Sequence, residues 1–276
     1  MSKNLIYFLS LTIILNMFNS SLLAEDKTLW IQSTTSTRDS GLYKYLLPHF
    51  EKDFNIKTYV VAVGSGQAIE NAKNCDADVL IVHSKEQELK FIKDGYGSDR
   101  YNLMYNDFVI VGPSSNPINI RLSDTISSVF TKIATGKSKF ISRGDDSGTH
   151  ISELKLWNIA NVNPLPFNGI WYLNTGQGMG ATLNIAIAMD GYTLTDRSTW
   201  LRYNNKNEHV ILYENNPNLF NQYGIVMINE NHCREVSHDA AKVFTDWILS
   251  KNGQDLIGSY KLNGVQLFTP NYNISR

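Results

Sequence analysis

Short runs of β-branched and aromatic residues alternate with helical patterns along the first half of the chain. TLWIQST, KTYVVAV, ADVLIVH and DFVIVGP have the length and composition of strands. Between them GLYKYLLPHFEKDF, GQAIENAKN and EQELKFIKDG carry apolar residues at helical spacing. Pro48 lies inside the first of these helices and is expected to kink it or mark its restart. The alternation continues through KFISRG, a helix over 149–160, GIWYLN, a helix over 180–189, and GYTLTDR. HVILYE and YGIVMIN follow, and then the long pattern SHDAAKVFTDWILSKNGQDLIGSY, in which Ala240, Val243, Phe244, Trp247 and Ile248 form a core-facing stripe. Such alternation implies parallel βαβ units and an α/β sheet. No single Pro/Gly/Ser linker divides the chain, which fits two α/β lobes between which the chain crosses more than once.

Composition narrows the function classes. The chain has 276 residues, enough for one large domain or two ordinary ones. With 42% hydrophobic and 18% charged residues it reads as a soluble globular protein. A net charge of −1 removes any bulk electrostatic case for nucleic acid or an acidic membrane surface. The first segment has Lys3, an apolar run from Leu5 to Phe18 and a small, polar stretch ending at Ala24. That is the layout of a cleaved signal peptide, residues 1–24, with an apolar core shorter than the ~20 residues a span needs. No cysteine follows the core, so an exported, diffusible chain that is not a lipoprotein is expected. Cys75 and Cys233 are too far apart in sequence to carry a framework pattern, and two unpaired cysteines are the expectation.

Four strand-to-helix turns share a design: STTSTRDSGL, VGSGQAIE, SRGDDSGTHISEL and NTGQGMGATLN. Each presents backbone N–H groups, hydroxyls and the positive end of a helix dipole to one spot, and glycine lets a ligand approach the backbone. One such turn is most simply an N-cap. Four in one chain point to the ligand-binding ends of strands in an open α/β sheet. Ser33, Thr34, Thr35, Ser36, Thr37, Ser65, Ser147 and Thr149 offer neutral donors, and Arg143 and Arg197 offer planar forks that match two oxygens of a tetrahedral anion. A predominance of donors suits a fully ionised oxyanion.

Other chemistries fit less well. GDDSGTH is similar to the Gly-Asp-Ser-Gly stretch around a protease nucleophile, but an inserted aspartate breaks the spacing. A serine hydrolase using Ser147 would need a histidine base, and His150 is too close in sequence to reach it easily. GSGQAIE lacks the Gly-Lys-Ser/Thr of a P-loop. The histidines are scattered; NHC near residue 232 is the one metal-like hint, and a surface turn explains it more simply.

TTSTRDSGL, VAVGSGQAIENAKNCDADVLIVHS, MYNDFVIVGP, SRGDDSGTHISELKLW, GQGMGATLN and YTLTDRSTW resemble, collinearly from Trp30 to Phe268, the tungstate-binding proteins of TupA-type ABC transporters. The resemblance implies a type II periplasmic-binding-protein fold with the oxyanion in the cleft between lobes. Lobe one would comprise 25–108 plus 222–276 and lobe two 109–221, with hinge crossings near 106–108 and 215–223. It implies ligand contacts from Thr34, Thr35 and Ser36, with Ser33 standing where the family often has threonine. Ser65, Arg143, Ser147, Gly148 and Thr149 would complete the set, and Arg197 would either join it or brace Asp145 or Asp146. Phosphate-binding relatives place a carboxylate after the third strand to accept the proton of hydrogen phosphate; here that place holds His83. Phosphate is therefore expected to bind at least about a hundredfold more weakly than tungstate, since its proton loses a partner. The family also implies a periplasmic, monomeric binding protein, not an enzyme, with no cofactor. It would deliver tungstate to an ABC transporter permease and its ATPase. Donor chemistry alone does not separate tungstate from molybdate, so a receptor for molybdate or phosphate is the nearest alternative.

Overall fold

The computed structural model describes residues 27–272; the expected signal peptide lies outside them. Strand β1 (Thr28–Thr34) runs into a short helix α1 (Thr35–Asp39) and then α2 (Leu42–Phe54). α2 continues across Pro48 as one helix, its apolar face of Leu42, Tyr43, Leu46, Leu47 and Phe50 buried. Strand β2 (Lys57–Val63), helix α3 (Ser65–Lys73), strand β3 (Val79–Val82) and helix α4 (Lys85–Lys93) complete the first units. β1 lies between β2 and β3 and is parallel to both, as βαβ crossovers require.

In this sheet the parallel pairing ends there, and among the described residues a further parallel pair appears only between β5 (Phe140–Ser142) and β6 (Tyr172–Asn174). Strand β4 (Gly97–Pro113) spans 17 residues, and the sequence pattern marked only its second half. Its first half, GSDRYNLMYN, mixes buried and exposed polar residues and carries little β-branched signal. β4 pairs antiparallel with the late strand β9 (Phe220–Ile228), which in turn pairs antiparallel with β3. The far half of β4 pairs antiparallel with β7 (Thr193–Asp196) and β8 (His209–Tyr213). One long strand therefore joins both parts of the sheet.

Between β4 and β7 lie helix α5 (Ile126–Thr135), strand β5 (Phe140–Ser142), helix α6 (Gly148–Ile159), strand β6 (Tyr172–Asn174) and helix α7 (Met179–Ala188). β5 and β6 are parallel. Helix α8 (Arg197–Arg202) follows β7 directly. After β9 come α9 (His238–Leu249) and α10 (Lys251–Ser259); the sequence pattern read these as one helix, and Ser250 separates them in an extended conformation while its hydroxyl caps α10 through the Gly253 amide.

The apolar interior is divided. One cluster joins Leu29, Phe50, Phe244 and Trp247; its buried residues come from 29–104 and 223–268, and Leu201 packs against it from outside those stretches. A second joins Phe130, Phe140, Trp157 and Tyr172 with residues drawn only from 108–219. Smaller clusters follow the same division, around Phe91 and around Trp200.

The expectation of unpaired cysteines is corrected: Cys75 and Cys233 form a disulfide across 158 residues of sequence. Cys75 leaves α3 in a left-handed conformation, φ 64°, and the turn after β9 brings Cys233 to it. Sequence separation hid the contact because β3 and β9 are sheet neighbours.

Candidate functional site

The four turns differ in how fully their polar groups are engaged. At the end of β1, Ser33 is buried and committed to the fold, its hydroxyl donating to the Ile81 carbonyl at 2.8 Å and sharing a 2.6 Å bond with Tyr43. Thr34 is also buried, and its hydroxyl contacts those of Thr37 at 2.7 Å and Ser36 at 3.2 Å. Thr35 and Ser36 open α1 half-buried, and no side chain caps that helix. Ser65 opens α3 after Gly64, again with no side-chain cap. Its hydroxyl is buried and has no partner among the described residues. A buried, unmatched hydroxyl is costly unless a ligand meets it.

The third turn is built around Arg143, whose guanidinium reaches the Asp145 carboxylate through Nε at 3.1 Å and Nη2 at 2.5 Å. Asp145 also accepts from the Ser147 amide at 3.2 Å. Burial pushes the Asp145 carboxyl up, but the bond from Ser147 and the Arg143 charge outweigh it and hold the carboxyl below its usual range. Ser147 caps α6 by accepting from the His150 amide at 3.3 Å. The His150 ring turns the other way, its Nδ1 accepting from the Asp146 amide at 3.1 Å. Neither bond couples Ser147 to an imidazole base, so the arrangement a serine nucleophile needs is not assembled by His150.

The fourth turn, before α7, serves the third. The Gly176 amide donates to the Arg143 carbonyl at 2.8 Å, the Thr175 hydroxyl donates to the same carbonyl at 3.2 Å, and the Thr175 amide donates to Ser142 at 3.0 Å. Gly144 adopts φ +59°, and a Cβ there would press on Asn174 at 2.8 Å. The Arg143 loop is thus held from behind.

Gly148 joins the two halves of the site. A Cβ at Gly148 would stand 2.5 Å from His83 Cε1, 2.8 Å from its Nδ1 and 3.2 Å from Ser65 Oγ. The first residue of α6 therefore lies directly against the first residue of α3 and the end of β3. Thr149, buried, follows it in the same turn. His83 is half-buried as a residue, yet its Nδ1 is fully buried and has no partner among the described residues. Its ring packs on Tyr223 at 4.9 Å. Burial pushes the His83 pKa down to about 4, opposed by the Asp196 charge and the Asn221 amide and assisted by the Arg143 charge. At neutral pH the ring is uncharged and is a hydrogen-bonding group, not an ion.

Arg197 is engaged by two carboxylates. It forks onto Asp107 with Nε at 2.8 Å and Nη2 at 2.6 Å, and Nη2 also meets Glu214 at 2.6 Å. The two carboxylates raise its pKa further above its already basic value, chiefly through the bond to Asp107. Arg197 thus braces Asp107 and Glu214, not Asp145 or Asp146.

Sequence reasoning missed three residues beneath the site. Asn221 Nδ2 donates to Asn106 Oδ1 at 2.8 Å, and Asn106 Nδ2 is buried with no partner among the described residues. Tyr223 is fully buried; burial raises its hydroxyl pKa, Asp196 adds to the rise, and Thr37, Ser36 and Asn106 oppose it. Asn106 and Asn221 fall within the stretches expected to form crossings, and Asn106 also lies in MYNDFVIVGP; those were the available signals. Asp196 itself is engaged: it caps α8 through the Thr199 amide at 2.9 Å and accepts the Ser198 and Thr199 hydroxyls.

Residues 24–252 match the family model described as PBP superfamily domain. The chain is 46% identical over 245 residues to the tungstate-binding protein TupA of Peptoclostridium acidaminophilum, covering 87% of this chain and 85% of that one. The solved structure of the tungstate-binding protein TupA from Desulfovibrio alaskensis G20 superposes with a TM-score of 0.80 at 42% identity, covering 89% of this chain and 99% of that one. The tungstate ABC transporter structure from Geobacter sulfurreducens gives 0.77 at 43% identity, covering 84% and 98%.

Proposed function

The chain belongs to the PBP superfamily and, within it, to the TupA-type tungstate-binding proteins, and on that premise we propose that it captures tungstate in a cleft and hands it to an ABC transporter permease and its ATPase. The lobes are 25–108 plus 222–276 and 109–221, a division supported by apolar clusters that follow it except at the joint, where Phe108 packs with the second lobe and Leu201 packs against the first. Thr35, Ser36 and Ser65 meet the ion from one side, with Thr34 organising the hydroxyls beside them. Arg143, Ser147, Gly148 and Thr149 meet it from the other. His83 is a neutral contact between them, and Asn106 provides an amide from the floor. Arg197 acts at the crossing strands, where its bonds to Asp107 and Glu214 brace the joint, and it is not a ligand.

The observation that carries this reading is at Gly148: two buried polar groups without protein partners, Ser65 Oγ and His83 Nδ1, lie where the amide end of α6 closes on them. Unmatched polar groups and an oriented helix start together suit a dianion. Closure would exclude water and strengthen each charge-assisted bond. Asp196 is engaged by α8 and Asp145 by Arg143 and Ser147, so neither of these carboxylates is free to accept the proton of hydrogen phosphate. The protein acts as a periplasmic monomer that binds without chemistry.

Thermal unfolding with tungstate, molybdate, phosphate and sulfate in turn tests the reading. Ligand at 100 times its Kd adds about 2.7 kcal/mol and raises Tm by several degrees. A rise with tungstate and none with phosphate is expected. No rise with any of the four contradicts it.

A further inference from the structure

The NHC motif, unused by the oxyanion site, lies against the disulfide. Cys75, His232 and Cys233 bring two sulfurs and a ring nitrogen within 4.8 Å of one another. Cys233 is buried, Cys75 half-buried and His232 exposed, so the group is anchored on one side and open to solvent on the other. The backbone holds it in place: the His232 and Cys233 amides both donate to the Asn229 carbonyl, at 3.0 and 2.9 Å, and the Cys75 amide donates to Ala72 at 3.2 Å. The His232 ring is oriented too. Its Nε2 donates to the Lys73 carbonyl at 2.8 Å, which in the neutral ring leaves Nδ1 as the lone-pair atom, and its edge packs on Tyr96 at 4.8 Å. Fixing one ring nitrogen through a carbonyl is how proteins orient imidazole ligands. The adjacent Lys73 ammonium is engaged by Glu70 at 2.6 Å.

We propose that these three residues form a redox-gated site for a thiophilic d10 cation of the zinc type. While the Cys75–Cys233 bond is intact, neither sulfur is a thiolate and the site is closed to metal. A dithiol reductant transfers two electrons and two protons to the bond, giving two cysteine thiols while it becomes a disulfide itself. A divalent cation then displaces both thiol protons and binds two thiolates and one imidazole, with water in the fourth position. The sulfurs stay close because their backbones are tied to α3 and to the turn after β9. This site is independent of tungstate capture.

The mature protein, oxidised or reduced with a non-chelating phosphine, is titrated with zinc against a chromophoric indicator, and with cobalt to read thiolate charge-transfer absorption. One equivalent of zinc is expected in the reduced protein alone, at least about a hundredfold tighter than in the oxidised protein, because the thiolates are the principal ligands. His232→Gln, on an exposed side chain, is expected to weaken zinc binding by roughly tenfold or more, with the oxidised Tm and tungstate affinity unchanged. Equal zinc affinity in the two redox states, equal affinity in His232→Gln, absence of the cobalt band, or loss of the native near-ultraviolet signal on reduction each overturns the proposal.

Discussion

The turn that opens α3 and the turn that opens α8 are built from the same kinds of residue and do opposite things. At α8, Asp196 takes the helix amide and two hydroxyls, so every oxygen of the cap is matched inside the protein. At α3, Gly64 offers no cap and the Ser65 hydroxyl is buried with nothing to bond. Ser, Thr, Gly and Asp before a helix therefore announce polar donors but not their use. A turn that satisfies itself supports the fold; one that does not is available to a ligand.

Removing Arg143 should break the open side of this comparison most severely. Arg143→Ala is expected to weaken tungstate binding by about 2–4 kcal/mol, roughly 30- to 1000-fold in Kd, because it leaves the anion without its charged partner and frees Asp145 to repel it. Calorimetry checks it, and a Kd within about threefold of the parent would remove Arg143 from the site.

Acid titration separates the open site next. His83 falls from 6.5 in the unfolded chain to about 4 in the folded one, so the folded form binds fewer protons between those values. The ligand-free protein should hold this contribution above pH 6.5 and lose about 1–3 kcal/mol as pH falls to about 4. His83→Gln should flatten that part of the stability profile in denaturant melts; an unchanged slope would show that His83 is not its source.

The closed turn responds the other way. Asp196→Ala should lower folding stability by about 1–2 kcal/mol, through the lost cap, without weakening tungstate binding. Ser65→Ala should do the reverse on a smaller scale, costing about 1 kcal/mol of binding and leaving Tm unchanged or slightly raised. If both variants moved stability and affinity together, the distinction between the two turns would fail.

Much of this was legible in the sequence. Val79–Val82 and Lys57–Val63 read as strands from their β-branched runs, and the α9 stripe read as core from its spacing. Three features were hidden, each because it depends on contacts between distant segments. The first half of β4 is polar and becomes a strand only through its partner β9. The disulfide depends on β3 and β9 lying side by side. Arg197 offers the same fork as Arg143, and only the approach of Asp107 and Glu214 separates their roles. Asn106 lay inside MYNDFVIVGP with no role assigned to it and Asn221 carried no motif; their importance lies in where the crossing strands leave the Asn106 amide.

The most direct test of the central claim is a crystal structure grown with tungstate, in which anomalous scattering places the metal without reference to any assumed site. The account predicts one strong peak within hydrogen-bonded reach of Ser65, His83, Arg143 and the start of α6, with its oxygens facing those groups. A peak elsewhere, or one at this position that leaves the Ser65 hydroxyl and the His83 ring unmatched, would contradict it.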